Sequence, residues 1–226
     1  MKATYYGQSS LGLETEDGKT LLFDPFITPN SLAKNIDISS LKPDYILLSH
    51  GHGDHMADLI TIQKNSGAKV ICIFEIAEWL GKQGINNVHA MNIGGSFNFE
   101  FGRVKMVNAI HSSTIPDGAS GGNPAGFVIH VNNGKKIYFS GTALTYDMKL
   151  LEDENLDWAI LPIGDNFTMG VDDAIKATGF INCKNVIGVH YDTFPVININ
   201  IDEVMEKFIK AGINIQLPAI GSSINL

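Results

Sequence analysis

The sequence predicts an α/β chain, in the α+β sense of mixed strands and helices, built as two β-sheets packed face to face with helices on both outer faces. Three observations lead there. Apolar, β-favouring runs fall into two blocks, one ending near residue 110 and the other beginning near 126, with helical stretches between strands. Of 226 residues, 44% are hydrophobic, enough for one large core, and no linker or repeat interrupts the chain, so 1–226 reads as a single domain. Finally, the run Asp44-Tyr45-Ile46-Leu47-Leu48-Ser49 leads straight into His50-Gly51-His52-Gly53-Asp54-His55, the pattern of a buried strand feeding a glycine-loosened loop.

The elements follow in order. Residues 2–6, 11–15 and 20–24 read as short strands, broken by Gly7 and by the hairpin signal Asp17-Gly18. Residues 27–42 read as a polar loop, and 44–49 as the strand that delivers the histidines. The pattern is helical from His55 to about Asn65. Val70 to Phe74 reads as a buried strand, Glu75 to Lys82 as a helix closed by Gly84, and Val88 to Asn92 as a strand. Gly94-Gly95 is a turn. Phe97 to Phe101 and Val104 to Ile110 pair around Gly102, with His111 at the end of the second. Ser112 to Gly126 holds four glycines and two prolines, reads as a segment without regular structure, and is expected to be a mobile lid over a site. Phe127 to Val131 and Lys136 to Phe139 form a hairpin at Asn132-Asn133-Gly134. Trp158 to Leu161 is a strand, Pro162 to Gly170 a loop, Asp172 to Phe180 a helix with Asp172 as its cap, and Asn185 to Val189 a strand ending at His190. Ile201 to Ala211 is an amphipathic helix closed by Gly212, and 213–218 and 222–226 are strands.

The spacing His-x-His-x-Asp-His is where chemistry concentrates. His50 and His52 can reach one metal ion, while Asp54 and His55 turn towards a second. Imidazole suits zinc, iron, manganese or cobalt, and a carboxylate completes a site with an open water position. His89 and His130 lie away from any motif and read as structural or surface residues. Asp24 ends a strand before a proline, a turn former by composition.

Several blocks besides the histidine motif carry a resemblance: Tyr6-Gly7-Gln8-Ser9, Phe23-Asp24-Pro25-Phe26, Met91-Asn92-Ile93-Gly94-Gly95, His111-Ser112-Ser113, Leu161 to Gly170 and His190-Tyr191-Asp192-Thr193-Phe194-Pro195. In their order and separation the chain resembles the metallo-β-lactamase superfamily, and more narrowly its bacterial metal-dependent hydrolases related to ascorbate-6-phosphate lactonases. The resemblance implies a four-layer αββα sandwich. It implies His50, His52 and His111 on a first divalent metal and Asp54, His55 and His190 on a second, so one or two ions per chain, with zinc expected and manganese, iron or nickel alternatives. Asp54 and His190 are the catalytic candidates, Asp54 also steering the attacking water. Asp24 becomes a carboxylate that orients a metal-bound histidine. Asp165 and Asn166 would face the pocket, an Asx turn being the alternative. Thr193 would donate to substrate, or else bond its own backbone.

Two departures stand out. Gln8 occupies a position where relatives often carry histidine, and an amide still hydrogen bonds at the site edge. After Ser140-Gly141 relatives have Gly-Asp-Thr, whose aspartate bridges both metals, whereas here Gly141 is followed directly by Thr142. Asp147, the nearest carboxylate, matches its own family position and is not expected to replace the bridge. The expectation is a second ion held weakly, or a single ion.

Hydrolysis of a small-molecule ester, lactone or phosphoester is the expected activity. The alternatives are a phosphodiesterase or nuclease, and a catalytically impaired metal-binding protein. The net charge of −8 without a basic cluster argues against a nucleic-acid surface. Neither cysteine, Cys72 nor Cys183, sits where an antibiotic-hydrolysing site would need one, and two cysteines in apolar runs make no disulfide framework. With no transmembrane run and no signal-peptide pattern, a cytoplasmic protein with a small-molecule substrate is expected, without nucleic acid or membrane, and with a homo-oligomer left open.

Overall fold

A computed structural model describes residues 1–140 and 146–226, with the side chain of Tyr146 left aside. Fourteen strands are named among the described residues. The first sheet holds β1 (Lys2–Gly7), β2 (Ser10–Glu14), β3 (Thr20–Phe23), β4 (Tyr45–Leu47), β5 (Lys69–Ile73), β6 (Val88–Met91) and β14 (Ser223–Asn225), in the order β14-β1-β2-β3-β4-β5-β6. The second holds β7 (Ser96–Phe99), β8 (Gly102–Asn108), β9 (Ala125–Val131), β10 (Lys136–Phe139), β11 (Trp158–Pro162), β12 (Asn185–Val189) and β13 (Asn214–Gln216), in the order β13-β12-β11-β10-β9-β8-β7. Pairing is antiparallel from β14 to β3 and parallel from β3 to β6. The second sheet repeats the scheme, antiparallel from β7 to β10 and parallel from β10 to β13.

The helices are α1 (Gly53–Met56), α2 (Leu59–Ser66), α3 (Phe74–Lys82), α4 (Val171–Phe180) and α5 (Ile201–Lys210). They fill the crossovers that parallel strands require. Helix α3 packs on β5 and β6, α4 on β11, and α5 on β13. This is the expected αββα sandwich. The two sheets meet through one hydrophobic cluster, in which Phe23 of the first sheet stacks on Phe139 of the second with centroids 4.6 Å apart. Strands β4, β11 and β12 are buried along their length apart from the start of β12, which is why they read as continuous apolar runs rather than alternating ones.

Several sequence expectations need correction. Asp54 and His55 lie on a helical turn, α1, rather than in a loop. Phe74 opens α3 and is half exposed instead of ending β5. The cap of α4 is Gly170, which offers no side chain, and the Asp172 carboxylate pairs instead with Lys207 at 2.8 Å. The polar segment 27–42 carries two 3-10 turns, Ser31–Ala33 and Ile38–Ser40, each opened by a side chain (Asn30 and Asp37) that accepts a backbone N–H. A further 3-10 stretch, Tyr146–Glu154, was not foreseen. The segment from Ser112 to Gly126 lies against the histidine cluster, with Ser113 on Gly51 and Ser112 beside His52, and holds more structure than its composition suggests. Thr114 and Ser120 form a β-bridge, Ile115 is buried, the Trp79 indole donates to Asp117 at 2.6 Å, and its last two residues belong to β9. The departure at Gly141-Thr142 lies outside the described residues.

Candidate metal centre

The site forms where chain segments leave the C-terminal ends of the strands, the usual crevice of an open α/β sheet. Asp24 follows β3, His50 to His55 follow β4, and His190 follows β12. His111 stands three residues beyond β8 rather than ending it. The segment carrying it is tied down by Ser113, whose hydroxyl oxygen accepts the Gly51 N–H at 3.0 Å.

Donor atoms of His50, His52 and His111 lie within 4.8 Å of one another, and so do those of Asp54, His55 and His190. The groups abut: the rings of His50 and His55 are 4.0 Å apart, and those of His55 and His190 5.4 Å. His89 and His130 stand apart. His89 packs on Phe97 and Phe99, and His130 meets Glu154 at 3.1 Å.

Hydrogen bonds set which nitrogen of each ring is available. The Asp24 carboxylate is fully buried and accepts the Ser49 N–H at 2.8 Å, the Ser49 hydroxyl at 2.6 Å and His55 Nδ1–H at 2.8 Å. Having given its only hydrogen to Asp24, Ser49 Oγ accepts from His50 Nδ1 at 2.9 Å. His50 Nε2 is left with a lone pair. On the other side, Ser112 Oγ lies 3.1 Å from His52 Nε2, so that His52 Nδ1 faces His50 Nε2 at 3.1 Å. Two ring nitrogens pointed at one another in a mostly buried place are the donor arrangement a divalent transition ion fits. Asp24 thus holds His55 directly and His50 through Ser49.

Electrostatics agree with that use. Burial, then the neighbouring histidines, hold His50 well below its ordinary value, and burial lowers His52. Burial and then His52 bring His111 down to about 4. Burial lowers His190 despite its contact with Asp54. Neutral imidazole is the form that ligates. His55 differs: burial pulls it down, but the hydrogen bond and charge of Asp24 outweigh that and raise it. Burial pushes the Asp54 carboxyl up, yet its contact with His190 and the nearby imidazoles carry it well below the usual range.

Residues 19–191 match the model of the beta-lactamase superfamily domain. The chain belongs to the metallo-β-lactamase superfamily. It is 54% identical to a metal-dependent hydrolase of Flavobacterium johnsoniae over 228 residues, covering 100% of both chains. Among solved structures it is similar to a metallo hydrolase of the archaeon Ignicoccus hospitalis, at 30% identity and a TM-score of 0.87, covering 99% of this chain and 97% of that one. An isothiocyanate hydrolase from Delia radicum gut bacteria shares the fold, with 19% identity and a TM-score of 0.79 over 100% and 99% of the two chains. The superfamily member described here is a metal-dependent hydrolase.

The remaining candidates are placed as follows. Gln8 is fully buried and its side chain meets both Asp54 and His190. The Asp165 carboxylate accepts the N–H of the next residue, Asn166, at 2.8 Å, a contact local to its own loop, and both residues have positive φ. That loop touches the metal centre by backbone, since a Cβ on Gly164 would stand 2.1 Å from the His190 carbonyl oxygen. The Thr193 hydroxyl donates to the Tyr191 carbonyl oxygen at 3.4 Å, the local alternative. Asp147 accepts from Asn108 at 2.8 Å. Sequence reasoning gave no role to Ser49, Ser112 or Asp58. Asp58 accepts the Ile27 and Thr28 N–H groups at 2.6 and 2.8 Å and so fixes the segment after Asp24.

Proposed function

We propose that this chain hydrolyses a small-molecule ester, lactone or phosphoester with a water activated at divalent metal held by His50, His52 and His111 and by Asp54, His55 and His190. The single observation that supports this most is the contact of the two donor groups across the His50–His55 ring pair. Bound divalent metal supplies Lewis acidity and lowers the pKa of water towards neutrality. The residues supply the rest. Asp24 and Ser49 keep lone pairs of His50 and His55 turned inward. Asp54, the partly exposed carboxylate of the second group, would accept a hydrogen bond from the attacking water and steer it; its Oδ2 stands 3.5 Å from His190 Nε2. His190, fixed through its backbone on Gln8, closes the far side.

Zinc is the proposed native ion, with manganese, iron or nickel the alternatives, because a histidine-rich set with one carboxylate accommodates all of them. The narrower likeness to ascorbate-6-phosphate lactonases makes lactones the first substrates to try. Two buried, unpaired cysteines suit a reducing compartment, and the cytoplasm is the proposed location. The test is turnover of the protein, separately loaded with each ion, on lactones, aryl esters and bis-p-nitrophenyl phosphate. Lactone or ester cleavage that disappears on chelation and returns with metal supports the reading. Turnover of the phosphodiester alone favours a phosphodiesterase, and none on any panel leaves a metal-binding protein without hydrolytic activity.

A further inference from the structure

Gln8 sits in the turn between β1 and β2, fully buried, with φ at +52°. A residue other than glycine holds that conformation only where its surroundings fix it. Here the backbone and the side chain are both fixed on the same histidine. The Gln8 carbonyl accepts the His190 N–H at 2.7 Å and the Tyr5 hydroxyl at 3.1 Å. The side-chain Nε2 donates to Asp54 Oδ2 at 2.8 Å and lies 3.0 Å from His190 Nε2.

Chemistry fixes the direction of these bonds. An ionised carboxylate only accepts, so the amide NH2 and not its oxygen faces Asp54. Gln8 Oε1 is buried without a partner among the described residues, so nothing on that side argues for turning the amide round. The NH2 carries two hydrogens. One goes to Asp54 and the other to His190 Nε2, which then accepts; an Nε2–H would instead have to reach Asp54 Oδ2, at 3.5 Å a longer contact than the 3.0 Å to Gln8. The imidazole proton then sits on Nδ1, which is itself buried without a partner among the described residues. His50 and His55 have their tautomers chosen from the Nδ1 side by Ser49 and Asp24. For His190 the choice falls to Gln8, from the opposite side.

We propose that Gln8 is the positioning residue of the second donor group, holding His190 in the tautomer that offers Nε2 as a lone pair and aiming Asp54 through Oδ2, the oxygen that stands 3.5 Å from both His55 Nε2 and His190 Nε2. This rests on reading Asp54, His55 and His190 as ion-holding. The His190 lone pair would then be available to an ion, while the amide would keep its bond to Asp54. A neutral histidine at position 8 has a single N–H and cannot serve both partners, so the amide is suited to this double contact.

Two measurements test it. In the metal-free, ¹⁵N-labelled protein, long-range nitrogen–proton correlations report the His190 tautomer. The expected native result is Nδ1–H. Gln8→Glu keeps the shape but puts an acceptor where the NH2 was, and the proton is expected to move to Nε2. In a cobalt(II) titration, Gln8→Met, which has no donor, is expected to weaken the second ion by about 10–100-fold and leave the first unchanged. Uptake of the first ion also reports that the variant is folded, and the glutamate variant stands in if it is not. An Nε2–H tautomer in the native protein, or an unmoved tautomer in Gln8→Glu, overturns the proposal. So does a methionine variant that weakens both ions equally or neither. A native chain that takes up one cobalt ion overturns the ion-holding reading of the group, while the tautomer measurement still decides the role of Gln8.

Discussion

Asp24 is fully buried and makes three hydrogen bonds, and every one needs it as an acceptor. Asp24→Asn replaces one acceptor oxygen with a donor that must face a hydrogen-bond donor already there. The expected cost is about 1–3 kcal/mol of stability for the unsatisfied groups. Metal affinity is expected to fall about 10–100-fold, because His50 and His55 lose their fixed tautomers. Urea unfolding of the metal-free protein and a metal titration measure the two effects separately. Ser49→Ala should reproduce the second effect for His50 and spare His55. At this scale the sequence was informative where donors are near in number. His50, His52, Asp54 and His55 announce themselves within six positions. The hydroxyls of Ser49 and Ser112 did not, because a serine bond depends on which partner the fold delivers. His50, His52, His111 and His190 have lowered pKa values in the folded chain. The unfolded chain therefore binds protons first as pH falls below about 6.5, and stability drops. For His111 the loss continues down to about pH 4. His55 has the opposite sign: its contribution is full below about 6.5 and fades as pH rises through its raised value. Four groups against one predict a metal-free protein that weakens between pH 6.5 and 4, and an unfolding series in chelator across that range checks it. A flat profile there would contradict the buried, neutral histidines.

Among the elements, the segment between β8 and β9 departs most from what composition implies. Glycines and prolines obscure periodicity, so nothing in the local pattern shows that Ile115 turns inward or that Thr114 pairs with Ser120. Its packing is close to the metal centre: a Cβ on Gly51 would stand 2.9 Å from Ile115 Cγ1. Ile115→Ala is expected to lower stability by about 2–5 kcal/mol, the range for truncating a buried isoleucine. It should also speed exchange of the Ile115 and Gly121 amides, which are bonded within the segment at 2.9 and 2.7 Å. Hydrogen exchange resolved by residue reads this directly, and protection equal to that of the native protein would mean the segment is held by something other than Ile115. Element type was legible for β4, β11 and α5, whose apolar runs or amphipathic spacing leave little choice. Ends were less so. Phe74 is apolar and β-favouring, yet it starts a helix because the chain turns there after β5.

Across the whole molecule, the two-sheet arrangement was readable from the blocks of strands, but the pairing of distant strands was not. Nothing local in Ser223–Asn225 says that it will lie antiparallel to β1, with Lys2 opposite Asn225 and Thr4 opposite Ser223. That strand covers an edge which would otherwise expose a row of unpaired backbone groups. Removing residues 222–226 is expected to lower the midpoint of thermal unfolding and to promote self-association. Light scattering during a thermal ramp compares the truncated and native chains, and identical traces would show that the β1 edge needs no cover. The same pairing also brings the two chain ends side by side, since the Leu226 N–H donates to the Met1 carbonyl oxygen at 3.0 Å. A short glycine-rich bridge can therefore join them without disturbing either sheet, and the chain can be reopened at the exposed turn Asn132-Asn133-Gly134. In such a circular permutant the two halves of the sandwich exchange their order of synthesis, and the β1–β14 pair becomes a local hairpin instead of a pairing between the two ends of the chain.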